Sequence, residues 1–555
     1  MTTWGGGGLI QPLAEDGAVA GPAEAVDDLV KAVAEREAAG QPRWVWASTA
    51  ETYPTPLRAG VRVARCHDLA LTEALLLGHD GRWGEPRSVA AAWARLHGQP
   101  VPDDLAYGPR DIQATLFEPD RSGLPDGVDP LEAVVAVHRD QMRRIAQLPE
   151  ARRMRLLVAA ESAGGLAAVE MGNAGLPWSA RVHDELLTEL LGPRPPAGQL
   201  PSRLRELAEQ VTAAFGGRRV NPDAPAEVVR ALAREGVEVP SARSWVLRQV
   251  DHPAVPVLLE YKELSRLHAA HGWAWLDQWV HDGRFRPEYV AGGVVSGRWA
   301  TRGGGALQIP RVVRRAVVAD PGWKLVVADA SQLEPRVLAA LSGDRGMAEA
   351  STRTDLYAAL ATEAFGGDRG RAKVALLAAM YGQTGGEAAP LLAAMRRRFP
   401  AALEFVEAAA RAGEQGQLVR SRLGRTCPQP SGRWREALAG VSEGADADAD
   451  AGRQAGQVAR DRGRFTRNFV VQATAAEWAL ALIATLRIRL AELTGPELVF
   501  FQHDEVLVHC PQGLADAVVA AVGAAGEEAG RLVFGATEVR FPLDVAVVDC
   551  YADAK

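Results

Sequence analysis

With 555 residues, 47% of them hydrophobic, the chain can bury more than one core, and its size favours roughly three to four structural units. Its apolar stretches are broken by Gly, Arg or Asp well short of the ~20 residues a membrane span needs, and Met1 to Gly8 has no basic-then-apolar signal pattern. A soluble, multi-domain, cytoplasmic protein with no membrane partner is expected. The four cysteines, Cys66, Cys427, Cys510 and Cys550, form no CxxC pair, so buried thiols are expected in place of a disulfide framework or zinc site. A net charge of -7 does not advertise a nucleic-acid binder, although it averages over surfaces of opposite sign. Arg311, Arg314 and Arg315 cluster, as do Arg396 to Arg398 and the group Arg420, Arg422, Arg425, Arg433 and Arg435. In so Arg-rich a sequence each cluster fits a solvated face as well as a phosphate contact.

In chain order, Arg43 to Ser48 and Val61 to Arg65 read as short strands and Asp68 to Gly78 as a helix, a small α/β unit ending near residue 125. The stretch from Glu118 to Pro130 breaks the pattern. From about 130 to 290 the periodicity is helical, GWKLVVADAS at 322 to 331 is a strand, and helices dominate again to about 490. The low-complexity stretch EGADADADAG, 443 to 452, interrupts them. Asp446, Asp448 and Asp450 alternate there as in a calcium loop, but Ala451 and Gln457 stand where such a loop needs Gly and Glu. An acidic linker is expected. His67, His79, His183, His281 and His503 are each followed by Asp, as in HD-type metal phosphohydrolases. Most copies sit in turns or at helix ends, where Asp caps helices.

The copy at His503 differs. LVFFQHDEVLVHC, 498 to 510, runs apolar residues into Asp504 and Glu505 and back again, which predicts two strands with a sharp turn at the acids. A carboxylate there can project from a sheet edge without the cost of burial. KLVVAD, 324 to 329, is a second strand ending in acid. If the two strands are neighbours, Asp329 and Asp504 converge on a site for a hard cation such as Mg²⁺; two unrelated turn aspartates would give the same pattern. In DRGRAKVALLAAMYG, Arg369, Lys373, Leu377 and Tyr381 recur every four residues and share one helix face. Two cations and a ring on one face suit a nucleotide triphosphate and its base or sugar, whereas an ordinary amphipathic helix would bury the stripe.

DASQLEPRVLAALSGD, RGRAKVALLAAMYG and QHDEV, in this order, resemble motifs A, B and C of family A DNA polymerases, the bacterial DNA polymerase I type. SGRWATRGGGALQIP, LGRTCP and RFTRNFVVQATAAEWA resemble three further stretches of that family, so the resemblance covers about residues 165 to 555. It implies a multi-domain α/β architecture, an RNase H-like exonuclease remnant followed by a right-hand palm, fingers and thumb. The implied division is 1–125 for the remnant, 126–290 for a helical connector and thumb, 291–350 and 466–555 for the palm, and 351–465 for the fingers.

The same resemblance implies that Asp329 and Asp504, with the Ala330 carbonyl, hold two Mg²⁺ ions, and that Glu505 supports them. Arg369 and Lys373 would grip the triphosphate, with Lys373 also protonating the pyrophosphate. Glu334 would be a steric gate against a 2′-hydroxyl beside Tyr381, and Gln332, Leu377 and His503 would border the nucleotide. Arg298 and Gln472 would read minor-groove acceptors, Asn468 would face the template, and Arg464 and Arg425 would contact DNA. Primer-template DNA and dNTPs are the implied partners, and a monomer working in repair or gap filling is expected.

The chain also departs from the family. Ala330 replaces a Tyr, Leu377 replaces an aromatic that faces the nucleotide, Gly is missing after Gln472, and LQIP is one residue short of LQNIP. CHDLALTEALLL resembles a segment of the family's 3′-to-5′ exonuclease and brings Glu51 near a metal-ligand position, but no D-x-E pair precedes it. A remnant without proofreading, and no 5′-nuclease domain, are expected. The readings from other classes are a catalytically silent DNA-binding homologue and the HD-type hydrolase, in which His503 would be a metal ligand.

Overall fold

The computed structural model describes residues 1–4, 6–104, 123–196, 198–383, 385–386, 388–436 and 449–554. The break at 118–130 and the acidic stretch 443–452 therefore fall partly outside the described residues. The chain is a multi-domain, mostly helical α/β protein with two units. The first comprises Met1–Asn173, Tyr289–Ala300 and Ala328–Val545; the second comprises Ala174–Glu288, Thr301–Val327 and Ala546–Lys555.

At the start of the first unit, β1 (Thr2–Trp4), β2 (Gly7–Ile10) and β3 (Glu24–Val26) form an antiparallel sheet, followed by α1 (Leu29–Gly40). Then β4 (Arg43–Trp46) pairs in parallel with β5 (Arg65–Asp68). The strand expected at 61–65 thus lies at Arg65–Asp68. Its polar residues are buried because partners exist for them: His67 Nε2 meets Gln141 Oε1 at 3.0 Å, and the Asp68 carboxylate accepts from the amides of Thr49 and Leu71 at 2.7 and 2.9 Å. The Leu71 bond caps α2 (Leu69–His79). Two long helices, α3 (Pro130–Gln147) and α4 (Ala151–Ala174), complete this part. Leu166 of α4 joins Trp44, Trp46, Tyr53 and Val63 in one apolar core.

The second unit is built from α5 (Ala180–Leu191), α6 (Ser202–Ala214), α7 (Ala254–His271) and α8 (Trp273–Trp279), with short strands. Val211, Phe215, Val228, Leu232 and Leu258 form its core. Gly303, Gly304 and Gly305 all have positive φ, and a Cβ on Gly303 would fall 2.4 Å from the Trp279 ring. Only glycine fits that turn.

The remaining part of the first unit begins at Ala328, in the last three residues of the next strand. β6 (Trp323–Ala330) leads into α9 (Leu333–Ser342), α10 (Leu356–Ala364) and α11 (Arg369–Tyr381). A 43-residue helix, α12 (Ala449–Ala491), precedes the hairpin β7 (Glu497–Gln502) and β8 (Glu505–Pro511), then α13 (Ala515–Phe534) and β9 (Leu543–Val548). One sheet has the order β7-β8-β6-β9. Contrary to the reading of apolar stretches above, α12 contains a window apolar and long enough to cross a membrane. That window is mostly buried inside the protein, where residues such as Trp478, Leu482 and Ile483 form core.

Arg336, on α9, fastens this part together. It is fully buried, and its guanidinium donates to five carbonyls, those of Ser331, Ser351, Arg353, Thr354 and Arg540, at 2.5 to 3.0 Å. A planar fork with five N–H groups satisfies them all; an ammonium on one nitrogen cannot. Arg336→Lys should therefore lower the unfolding free energy by about 3 kcal/mol, leaving buried carbonyls unpaired. Urea unfolding followed by circular dichroism checks this, and a change below about 1 kcal/mol contradicts it.

Candidate functional site

The hairpin sets the first half of the site. Gln502 pairs with Glu505 across the β7–β8 ladder, so His503 and Asp504 alone make the turn. His503 has φ +59°, in the left-handed region that a two-residue hairpin turn demands. Its surface is largely exposed, yet partial desolvation of the group, followed by repulsion from Arg298, holds its pKa below the ordinary value. Glu505 begins β8 and is buried. The turn meets the end of β6 directly: the Ala330 amide donates to the Asp504 carbonyl at 3.1 Å. Asp329 and Asp504 are both half-buried. Carboxylates together with a backbone carbonyl are the kind of all-oxygen donor set that Mg²⁺ takes.

Beyond β6 the chain turns sharply at Gln332, which has φ +55°. The Gln332 amide is used on both sides: Nε2 donates to Asp355 Oδ1 at 3.0 Å, and Oε1 accepts from the Leu356 amide at 2.8 Å. Two residues on, Glu334 stands in the first turn of α9 between two partners. Arg298 Nη2 donates to one carboxylate oxygen at 2.5 Å, and the Tyr381 hydroxyl donates to the other at 3.2 Å.

Tyr381 ends α11, whose start is capped by Asp368 and whose end turns at Gly382 with φ +71°. Ala372, Ala375, Leu376 and Ala379 are buried, whereas Arg369, Lys373 and Tyr381 are exposed and Leu377 is half-buried. The helix therefore buries the small and apolar positions between the stripe. Arg369 Nε donates to Asp355 Oδ2 at 2.7 Å.

On α12, Arg464, Asn468 and Gln472 also recur every four residues. Arg464 is exposed and ion-paired with Asp461, and its stem lies against Gly382. Asn468 and Gln472 are half-buried, and among the described residues the Asn468 Nδ2 is buried without a partner. Arg425 sits elsewhere: it is buried and ion-paired with Glu161. The pair lines a cavity of about 310 Å³ together with Trp83, Arg87 and Gly292 to Val295. Near the N-terminus, Glu51 is exposed and the Asp68 carboxylate is consumed by two amides.

Arg336, Asp355 and Tyr357 were not among the candidates from sequence. Asp355 is legible only as a helix cap before an apolar run, a role it fills by accepting from the Ala358 amide at 3.1 Å. Nothing local in DLYAAL signals its second contact, with Arg369.

A family model described as DNA polymerase family A matches residues 196–550. The thermostable DNA polymerase I of Thermus filiformis is 29% identical over 324 residues, covering 53% of this chain and 35% of that relative. DNA polymerase I of Chloroflexus aurantiacus is 36% identical over 124 residues, covering 21% of this chain and 13% of the relative. The matched part thus spans about a third of the length of the first of these curated relatives. Among solved structures, the POL domain of Pol1 from M. smegmatis, in complex with DNA primer-template and dNTP, is similar in fold, with a TM-score of 0.65 at 20% identity, covering 88% of this chain and 82% of that one.

Behind the Arg425 loop, the fully buried Glu477 accepts from Ser421 Oγ and from the Leu423 amide at 2.9 Å. Burial pushes its carboxyl up from 4.5 to about 7 against those hydrogen bonds. Its folded form therefore binds the proton more tightly than the unfolded chain does. This contribution to stability is present below about pH 4.5 and is lost as pH rises through about 7. The melting temperature should fall between pH 5 and 7.5, and fall less in Glu477→Gln; equal slopes in the two proteins contradict this origin.

Proposed function

The chain belongs to DNA polymerase family A, and we propose that it is a template-directed DNA polymerase adding dNTPs to a primer 3′-hydroxyl. The observation that carries this reading is the Ala330–Asp504 contact, which brings two acid-bearing strand ends together, in the unit that also holds the exposed Arg369, Lys373 and Tyr381 stripe. Family A DNA polymerases use divalent metal ions. Asp329, Asp504 and the Ala330 carbonyl would hold two Mg²⁺, which when bound lower the pKa of the attacking hydroxyl and neutralise charge at the α-phosphate.

The protein's own residues do the rest. Arg369 and Lys373 bind the triphosphate, and Lys373 gives a proton to the leaving pyrophosphate. Glu334, fixed from both sides by Arg298 and Tyr381, fills the space a ribose 2′-hydroxyl would need. Gln332 and His503 border the nucleotide, while Leu377 offers it an aliphatic wall in place of a ring. Arg298 and Gln472 meet minor-groove acceptors at the primer end, Asn468 and Arg464 line the DNA path, and Glu505 supports Asp504. Arg425, being buried, acts by pairing with Glu161 of α4 and not by touching DNA. In this reading residues 291–350 and 466–555 are palm, 351–465 fingers and 126–290 connector and thumb. Residues 1–125 are an exonuclease remnant without proofreading. The enzyme works as a cytoplasmic monomer in repair or gap filling.

Primer extension on a 3′-mismatched, labelled primer-template with Mg²⁺ and dNTPs tests this. Template-directed extension is expected. Asp329→Ala and Asp504→Ala should each reduce it by about a thousandfold or more, and the mismatched primer should not shorten. Shortening of the primer, or extension indifferent to Asp504, would place the chemistry elsewhere.

A further inference from the structure

Arg369 is held on an edge and a face. Its Nε meets Asp355 Oδ2 at 2.7 Å, and its guanidinium carbon lies 5.6 Å from the centre of the Tyr357 ring. Both contacts come from the first residues of α10, since Asp355 caps that helix and Tyr357 lies in its first turn. The cap is itself tied to the turn after β6, because Asp355 Oδ1 accepts from Gln332 and the Leu356 amide donates back to Gln332. A chain of direct contacts therefore runs from the residues next to Asp329 to the Arg369 guanidinium.

An ion pair between half-exposed groups such as Arg369 and Asp355 contributes little to stability. Here it is combined with a buried ring and a doubly hydrogen-bonded glutamine, which is more than a surface charge requires. The contact atom is Nε. A guanidinium gripped there keeps its two terminal nitrogens out of the Asp355 contact, and those are the atoms that take a phosphate bidentately. Although partial burial pulls the other way, the hydrogen bonds from Arg369, the Ala358 amide and Gln332 hold the Asp355 carboxyl below the usual carboxylate range. Burial, with the Glu334 carboxylate nearby, pushes the Tyr357 hydroxyl up to about 12, so the ring stays neutral.

We propose that Asp355 and Tyr357 are positioning residues for the nucleotide triphosphate, holding Arg369 by its Nε edge and one face so that its terminal nitrogens meet the phosphates. The proposal rests on the polymerase reading above and on Arg369 as a phosphate ligand. Neither residue touches substrate; both act through Arg369.

Single-nucleotide incorporation on one primer-template tests it, using wild type, Asp355→Asn, Tyr357→Phe, Tyr357→Leu, Arg369→Ala and the Asp355→Asn/Arg369→Ala double variant. Asn still caps α10, so folding should survive. Asp355→Asn should raise the dNTP KM about 5- to 20-fold with kcat within about threefold, because uniform binding is lost. Tyr357→Leu should raise KM about 3- to 10-fold and Tyr357→Phe, which keeps the ring, should not. The double variant should be no worse than Arg369→Ala alone. Multiplying effects, or an unchanged or lowered KM in Asp355→Asn while Arg369→Ala raises it, overturn the positioning role. An unchanged KM in Arg369→Ala overturns it by removing Arg369 as the phosphate ligand. No incorporation by wild type instead removes the polymerase reading on which it stands.

Discussion

One backbone hydrogen bond, from the Ala330 amide to the Asp504 carbonyl, fixes what the rest of the site can be. It joins the end of β6 to the turn between β7 and β8, and those two places carry the acids. A register slip of one residue in either strand would send its side chain to the opposite face of the sheet. The ladder from Glu497↔His509 to Gln502↔Glu505 leaves only His503 and Asp504 in the turn, and His503 accepts a left-handed conformation to close it. Backbone strain at His503 and a half-buried carboxylate at Asp504 are found together in one turn.

From that bond outward, the first unit shows a second pattern: polar side chains join segments distant in sequence. Gln332 reaches the cap of α10, Glu334 joins Arg298 to Tyr381, and Arg336 collects five carbonyls from three segments. These three residues lie within five positions on the chain. The stretch after β6 therefore works as a hub, and the exposed face of α11 is set relative to the acids through it. This explains why SQLEPR tolerates a buried arginine and a left-handed glutamine, features that intrinsic propensity alone disfavours.

Where pattern and burial agree, the sequence is readable. Two apolar runs interrupted by a short polar turn are a hairpin, and a four-residue recurrence of Arg, Lys, Leu and Tyr is one face of a helix. The exposure of that face separates it from an ordinary amphipathic stripe. Less was legible where a residue's partner is distant. Val61 to Arg65 alternates as a strand should, yet the strand is Arg65–Asp68, because Gln141 and the Thr49 amide make burial of His67 and Asp68 affordable. Arg425 reads as a DNA contact from its motif and is buried against Glu161, 264 residues away. The second contact of Asp355 is equally invisible locally. The apolar stretch of α12 shows the converse: its composition would suit a membrane, and only its burial in the fold assigns it to a core.

We propose that Asp329 and Asp504 form one metal-holding edge, and Mn²⁺ binding measures this most directly. Electron paramagnetic resonance titration of the protein with a 3′-dideoxy-terminated primer-template and dNTP should count two bound ions per chain. Asp329→Asn and Asp504→Asn should each remove that binding while leaving the melting temperature within a few degrees of wild type. Unchanged Mn²⁺ stoichiometry and affinity in both variants would contradict the account.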